Sequence, residues 1–207
     1  MTVVLVHGLG RSRLSLFLLA YRLVKSGHAP KLFPYSSLTE THDRILTRLV
    51  TLLRSLAELG TEVGLVGHSF GGLLLREALA AVPTLRVKHF VMLGTPNRQP
   101  RLAVRVYSRS PFRIFRGSCG QCLADSEWFR SLPAPAVAYT STAGTKGWRG
   151  RFSPFDGEAN DGIVSVSETM IADNHQPMLV PALHTFIMNK ACVHRFILAK
   201  LGACVAR

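Results

Sequence analysis

The stretch Val63-Gly64-Leu65-Val66-Gly67-His68-Ser69-Phe70-Gly71-Gly72 constrains the chain more than any other. A short apolar run (Val63, Leu65, Val66) leads into Gly67-x-Ser69-x-Gly71 and then into the amphipathic segment from Leu73 to Leu79. That order reads as strand, sharp turn and helix. A turn this tight forces the residue at its apex into a strained backbone conformation and holds its side chain in the open. Glycines two residues before and two after Ser69 remove the Cβ atoms that would collide as strand and helix approach. The helix N-terminus also aims backbone N–H groups at any negative charge formed beside the serine. Gly-x-Ser-x-Gly alone is a weak pattern; the flanking strand and helix make Ser69 a candidate nucleophile.

The rest of the chain alternates strands with helices. Val3 to Val6 is a continuous apolar run, read as a strand buried on both faces, and it ends in the loop His7-Gly8-Leu9-Gly10-Arg11-Ser12. Leu14, Phe17, Leu18, Tyr21, Leu23 and Val24 mark a helix closed by Ser26-Gly27. A short strand over 30–33 precedes a long helix over 41–59, with Ile45, Leu49, Leu52, Leu53 and Leu56 on one face. Further strands are expected over 87–93, 136–142 and 177–183, a short helix over 164–171, and a terminal helix over 191–201. This pattern predicts an α/β fold, a three-layer α/β/α sandwich around a mainly parallel sheet of about six strands. Residues 1–207 read as a single domain, with 99–130 a small cap-like excursion. In such a sheet ligands collect at the carboxyl ends of the strands, which brings together the loops after Val6 and Gly67 and those carrying Asp161 and His184.

Composition narrows the function classes. Nearly half the residues are apolar, and charged residues are sparse, as in a folded protein rather than a disordered one. Apolar runs are interrupted before they reach membrane-spanning length, and the start of the chain reads as a strand rather than a secretory leader, so a cytoplasmic location is the expectation. The formal net charge is +13, which suits acidic substrates or a weak interaction with an anionic membrane surface. The basic residues are spread along the chain without any nucleic-acid-binding motif, so no nucleic-acid partner is expected. Arg101, Arg105, Arg109 and Arg113 recur every four residues among Val104, Val106, Tyr107, Phe112 and Phe115. If helical, they form a basic stripe suited to an anionic interface, although Pro111 interrupts one continuous helix. Of four cysteines, Cys119-x-x-Cys122 lacks a second pair at ligand spacing, and Cys192 and Cys204 fit the terminal helix. No metal or cofactor is expected. A nucleotide-binding reading fails because His7-Gly8-Leu9-Gly10 lacks the third glycine and the downstream acid.

Val4-Leu5-Val6-His7-Gly8-Leu9-Gly10, Gly67-His68-Ser69-Phe70-Gly71-Gly72, Leu93-Gly94-Thr95-Pro96-Asn97, Asn160-Asp161-Gly162-Ile163-Val164, and His184 ahead of a terminal helix together resemble the α/β-hydrolase superfamily. The resemblance is to its small capless lipases and esterases, and Leu123 to Phe129 looks like the helix that packs at their pocket rim. The resemblance spans nearly the whole chain, in the order Ser, Asp, His. It implies a minimal form of the fold, opening at the family's third strand, and a serine hydrolase that cleaves carboxylic esters, including lipid esters. Ser69 would be the nucleophile, His184 the base and Asp161 the acid that orients it; backbone N–H groups of Leu9 and Phe70 would bind the oxyanion and contact substrate.

The residues leave alternatives to each role. Asp156 and Glu158 sit in the polar loop before Asp161, and Asp156 is next in line as the acid. Asp173 and His175 precede the last strand, at its wrong end, and His194 lies within the terminal helix. His7 and His68 read as scaffold. The same three groups would also serve a thioesterase, an amidase or an acyltransferase. A different class, a hydrolase-like protein that binds anionic membranes or partners, stays open on the charge alone.

Overall fold

The computed structural model describes residues 1–108 and 117–202. Six strands form one all-parallel sheet: β1 (Thr2–Val6), β2 (Ala29–Phe33), β3 (Val63–His68), β4 (Val87–Leu93), β5 (Tyr139–Gly144) and β6 (Met178–Val180). Their order across the sheet is β2-β1-β3-β4-β5-β6. Parallel strands need crossovers, and helices supply them on both faces. The α/β/α reading of the sequence therefore describes the fold.

Alternation along each strand divides the core in two. Val4 and Val6 of β1 join a cluster with α2 (His42–Glu58) and α3 (Phe70–Ala80), through Ile45, Leu49, Leu53, Leu73 and Leu74. Val3 and Leu5 point the other way, into a cluster with α1 (Phe17–Lys25) and the terminal helix. Each fully buried leucine contributes roughly 2 kcal/mol, which fixes the register of every strand against its neighbours. Thr41 caps α2 by accepting from the Arg44 N–H, and Asp43 in the first turn complements the helix dipole.

The expected helix α1 forms; of the six apolar residues that mark it, Leu23 is buried together with Leu16, Leu19 and Ala20, whereas Leu14, Phe17, Leu18, Tyr21 and Val24 face solvent. Two expectations are corrected. The expected helix over 164–171 is only a 3-10 turn at Ser167–Thr169. Carboxylates capture its backbone donors there, Glu158 binding Ser167 N and Glu168 binding Ser165 N, and such bonds compete with a helical ladder. Leu123 to Phe129 is broken at Asp125, which ends α5 (Gly117–Ala124) and caps α6 (Ser126–Ser131) through Glu127 N and Trp128 N.

The Arg-rich stretch begins as α4 (Arg101–Ser108). Arg101 does not face outward as part of a basic stripe. It donates to Glu168 at 3.0 Å, to Glu158 at 2.5 Å and to Ser165 at 2.8 Å, tying α4 to the loop that carries Asp161. Arg109 and Arg113, with Pro111, Phe112 and Phe115, lie outside the described residues, as does Cys204. Cys119, Cys122 and Cys192 are free thiols. The terminal helix, α7, runs Ala191–Leu201. No helix among the described residues is long and apolar enough to cross a membrane.

Candidate functional site

β1 and β3 lie side by side, with β2 on one flank and β4 on the other, so the chain changes direction between them. The loops at their carboxyl ends therefore open a crevice, where an α/β sheet binds its ligands. The loop after β1 carries Leu9. Ser37 accepts from Gly10 N at 2.9 Å and pins that loop.

Ser69 stands between β3 and α3 with φ 53° and ψ −125°, a strained conformation for a residue with a Cβ. Its own N–H donates to the Leu93 carbonyl at 2.9 Å, which holds the turn against β4. The turn is sterically closed to anything but glycine on either side. A Cβ at Gly67 would overlap the Gly72 Cα, and one at Gly71 would overlap the carbonyl oxygens of Val6 and His7. Phe70 opens α3, so its N–H is among the first-turn donors without a partner inside the helix.

Asp161 and His184 arrive from the far side of the sheet. The Asp161 Oδ1 accepts from Ile163 N at 2.9 Å and Val164 N at 2.7 Å, so the carboxylate is oriented by its own turn. Its Oδ2 lies 2.7 Å from His184 Nδ1, and the His184 N–H donates to the Asp161 carbonyl at 2.9 Å. A carboxylate only accepts, so Nδ1 carries the proton. The neutral ring then offers Nε2 as an acceptor, and it lies 2.9 Å from the Ser69 Oγ. Asp161 and His184 are both buried. Ser69, His184 and Asp161 thus form one hydrogen-bonded line, with Leu9 on the loop after β1 and Phe70 at the start of α3 beside the serine.

The other candidates are placed elsewhere. Asp156 is exposed and, among the described residues, pairs with Arg101 alone, at 3.6 Å, and Glu158 is taken up by Arg101 and Ser167. Asp173 pairs with Arg98 on the surface. His175 accepts from the Ile171 N–H. His194 donates to the Met188 carbonyl at 2.7 Å.

His7 and His68 are buried around the crevice. His68 donates from Nε2 to the His184 carbonyl at 3.1 Å, and His7 stacks on Tyr35 with ring centroids 4.1 Å apart. Burial holds both imidazoles below the usual histidine range, His68 far below it, so they are neutral. The Tyr35 hydroxyl donates to the His7 carbonyl at 2.8 Å.

Several supporting residues carry no readable sequence signal, Tyr35 and Ser37 among them. Gly94 did stand in a quoted motif, but its part there is geometric. Its φ is 57°, and a Cβ would come within 3.3 Å of both Asp161 Oδ2 and His184 Nδ1. Among the described residues, no three His, Cys, Asp or Glu side chains are placed to share a metal ion.

Beside Ser69 is a cavity of about 120 Å³. Pro96, Leu102, Ala103, Val106, Leu123 and Ile163 line most of it, so it presents apolar surface to whatever is bound at the serine.

The sequence profile described as "Alpha/beta hydrolase family" matches residues 3–190. No curated protein matches the chain in sequence. Among solved structures, the mature form of a Bacillus licheniformis lipase superposes with a TM-score of 0.69 at 20% identity, covering 98% of this chain and 92% of that one. A Legionella pneumophila phospholipase, solved with thio-NAD, gives a TM-score of 0.72 at 20% identity over 97% of this chain and 58% of its own. A type II thioesterase from the borrelidin biosynthetic cluster gives 0.65 at 14% identity, covering 98% and 92%. At these identities the likeness is one of fold.

Proposed function

We propose that this chain, which belongs to the alpha/beta hydrolase family, is a serine hydrolase that cleaves carboxylic esters through an acyl-enzyme. The observation that carries the reading is the hydrogen-bonded line from Asp161 through His184 to Ser69, ending beside an apolar cavity. The lipase and phospholipase among its structural neighbours support an ester substrate.

A serine hydroxyl is a poor nucleophile until a base takes its proton. His184 Nε2 accepts that proton as Ser69 Oγ attacks the acyl carbon. Asp161 keeps the proton on Nδ1 and stabilises the imidazolium that forms. Negative charge on the former carbonyl oxygen is met by the N–H groups of Leu9 and Phe70, each worth about 3–4 kcal/mol in such sites. Collapse expels the alcohol, which takes the proton from His184. Water then attacks the acyl-enzyme by the same path in reverse. The strained, fixed position of Ser69 keeps Oγ in line with the base throughout, which lowers the entropic cost of each attack.

The acyl chain lies in the cavity beside Ser69, against Leu102, Ala103 and Val106 of α4. In this reading residues 1–207 are one domain, and the described parts of 99–130, which leave out 109–116, belong to a small cap-like excursion beside its site. Hydrolysis of p-nitrophenyl esters of increasing acyl length tests it, comparing the parent with Ser69→Ala. The expected result is parent turnover that falls at least a thousandfold in the variant. Turnover equal in both would refute it. Acyl thioesters form the second arm, because a type II thioesterase shares the fold and the same three groups would open a thioester.

A further inference from the structure

The outer surface of α1 has no packing role among the described residues. Counting from the preceding 3-10 turn at Arg13–Leu16, residues 14, 17, 18, 21 and 24 recur at helical spacing, and all are large and apolar. Leu14 is 71% exposed, Phe17 63% and Val24 58%. The opposite face buries Leu16, Leu19 and Leu23 against the sheet. A surface helix of this kind normally presents polar residues outward. A contiguous apolar stripe in solvent is a mark of a docking surface.

Charge indicates what covers it. All the acidic residues of the chain fall between Glu40 and Asp173; residues 1–39 and 174–207 contain none. The fold puts helices from these two acid-free ends together, since α1 packs against α7 and against the His184–Asn189 turn. Arg13, Arg22 and Lys25 flank the apolar stripe, and Arg195 and Lys200 are exposed on α7. None of these five has a carboxylate at ion-pair distance among the described residues. Lys25 and Lys200 lie over the rings of Tyr21 and Phe196, at 5.7 and 5.5 Å from their centroids, stems along apolar surface.

We infer that α1 and its neighbours form a docking surface for an anionic lipid bilayer, with Leu14, Phe17, Leu18, Tyr21 and Val24 entering the headgroup boundary. An apolar helical face rimmed by arginine and lysine suits that environment. A nucleic acid would use the rim and leave the stripe uncovered. A second copy would set one basic rim against another.

The surface also lies next to the proposed site. α1 follows the Leu9 loop, and exposed Leu183 and Phe186 flank His184 in the chain. Docking therefore brings the crevice to the membrane. The inference stands apart from the chemistry at Ser69, because docking is measured on protein with Ser69→Ala.

The experiment is co-sedimentation of that protein with vesicles of phosphatidylcholine alone and of phosphatidylcholine mixed equally with phosphatidylglycerol. Partition into the anionic vesicles should be at least about tenfold stronger, and should weaken as salt is raised. Leu14→Ser with Phe17→Ser, and separately Arg22→Glu with Lys25→Glu, should each lower it at least about tenfold, with melting temperatures unchanged. Failure of the parent to sediment with anionic vesicles would overturn the inference. So would charge-reversal sensitivity without any effect of the serine pair, the signature of a soluble polyanion. Lipid-free self-association abolished by the serine pair would overturn it in favour of a second copy.

Discussion

His68 donates its Nε2–H to the backbone carbonyl of His184 across 3.1 Å, and the two rings lie 5.0 Å apart. The residue that precedes Ser69 in the chain thus holds the histidine that faces Ser69, although 116 positions separate the two. Its neutral state suits the proposed chemistry, in which a charged imidazole there would repel an imidazolium formed on His184.

If His68 positions His184, replacing it should slow chemistry without weakening binding. His68→Ala should lower kcat about ten- to a hundredfold and leave KM within about twofold, since a misplaced base costs rate rather than affinity. Steady-state kinetics on a p-nitrophenyl ester check this. A raised KM with unchanged kcat would assign His68 to substrate binding instead.

Burial also gives His68 and His7 a consequence for stability. Both have folded pKa values below the ordinary 6.5, with burial as the largest cause. In the unfolded chain they take up protons as pH falls through that value, while the folded protein does not. Their contribution is therefore present above about pH 6.5 and lost as pH drops toward their folded values, at about 1.4 kcal/mol for each tenfold difference in proton affinity. His42 has the opposite sign. Burial works against its charge, but Glu77 and Asp43 outweigh it and raise its pKa. Its contribution is present below 6.5 and lost as pH rises through the raised value. Unfolding midpoints followed from pH 8 to 5 should fall on the acid side, and less steeply in a folded His68→Gln variant.

Gly94 gives a sharper steric test. An alanine there would adopt φ 57° and place its Cβ 3.3 Å from Asp161 Oδ2 and His184 Nδ1. Gly94→Ala should cost about 1–2 kcal/mol from the left-handed conformation alone. It should also lower kcat by displacing the pair. Chemical denaturation and kinetics on the same preparation separate the two effects.

Arg101 links α4 to the buried Glu168. Removing the guanidinium leaves that carboxylate with backbone partners only, at Arg101 N and Ser165 N. Arg101→Met should destabilise the protein by about 2 kcal/mol, less than for a fully buried pair because the arginine is partly exposed. A change under about 0.5 kcal/mol in urea melts would show that α4 is held by other contacts.

Much of this architecture was legible from short-range pattern. Continuous apolar strands and the glycines around Ser69 follow from local chemistry repeated along the chain, whereas Asp161 and His184 were singled out by the resemblance to the α/β hydrolases. What the sequence did not carry depends on long-range geometry. Periodicity marks α1 as a helix, but with apolar residues on two faces it cannot say which is buried; Leu16, Leu19 and Leu23 do the packing, while Leu14 and Phe17 face solvent. Spacing alone placed Arg101 on a basic stripe, because its partners Glu158 and Glu168 are more than fifty residues away. Ser37 on the Gly10 N–H and Tyr35 on the His7 carbonyl are similar cases: ordinary residues whose role arises only when distant strands meet.

The chemistry proposed at Ser69 is tested most directly by covalent capture. The protein is treated with a fluorophosphonate, and the modified peptide is located by mass spectrometry alongside residual ester hydrolysis. The account predicts one adduct per chain on the peptide containing Ser69, parallel loss of turnover, and labelling slowed by orders of magnitude in His184→Ala. Full hydrolysis after stoichiometric labelling, or an adduct at any other serine with Ser69 unmodified, would contradict it.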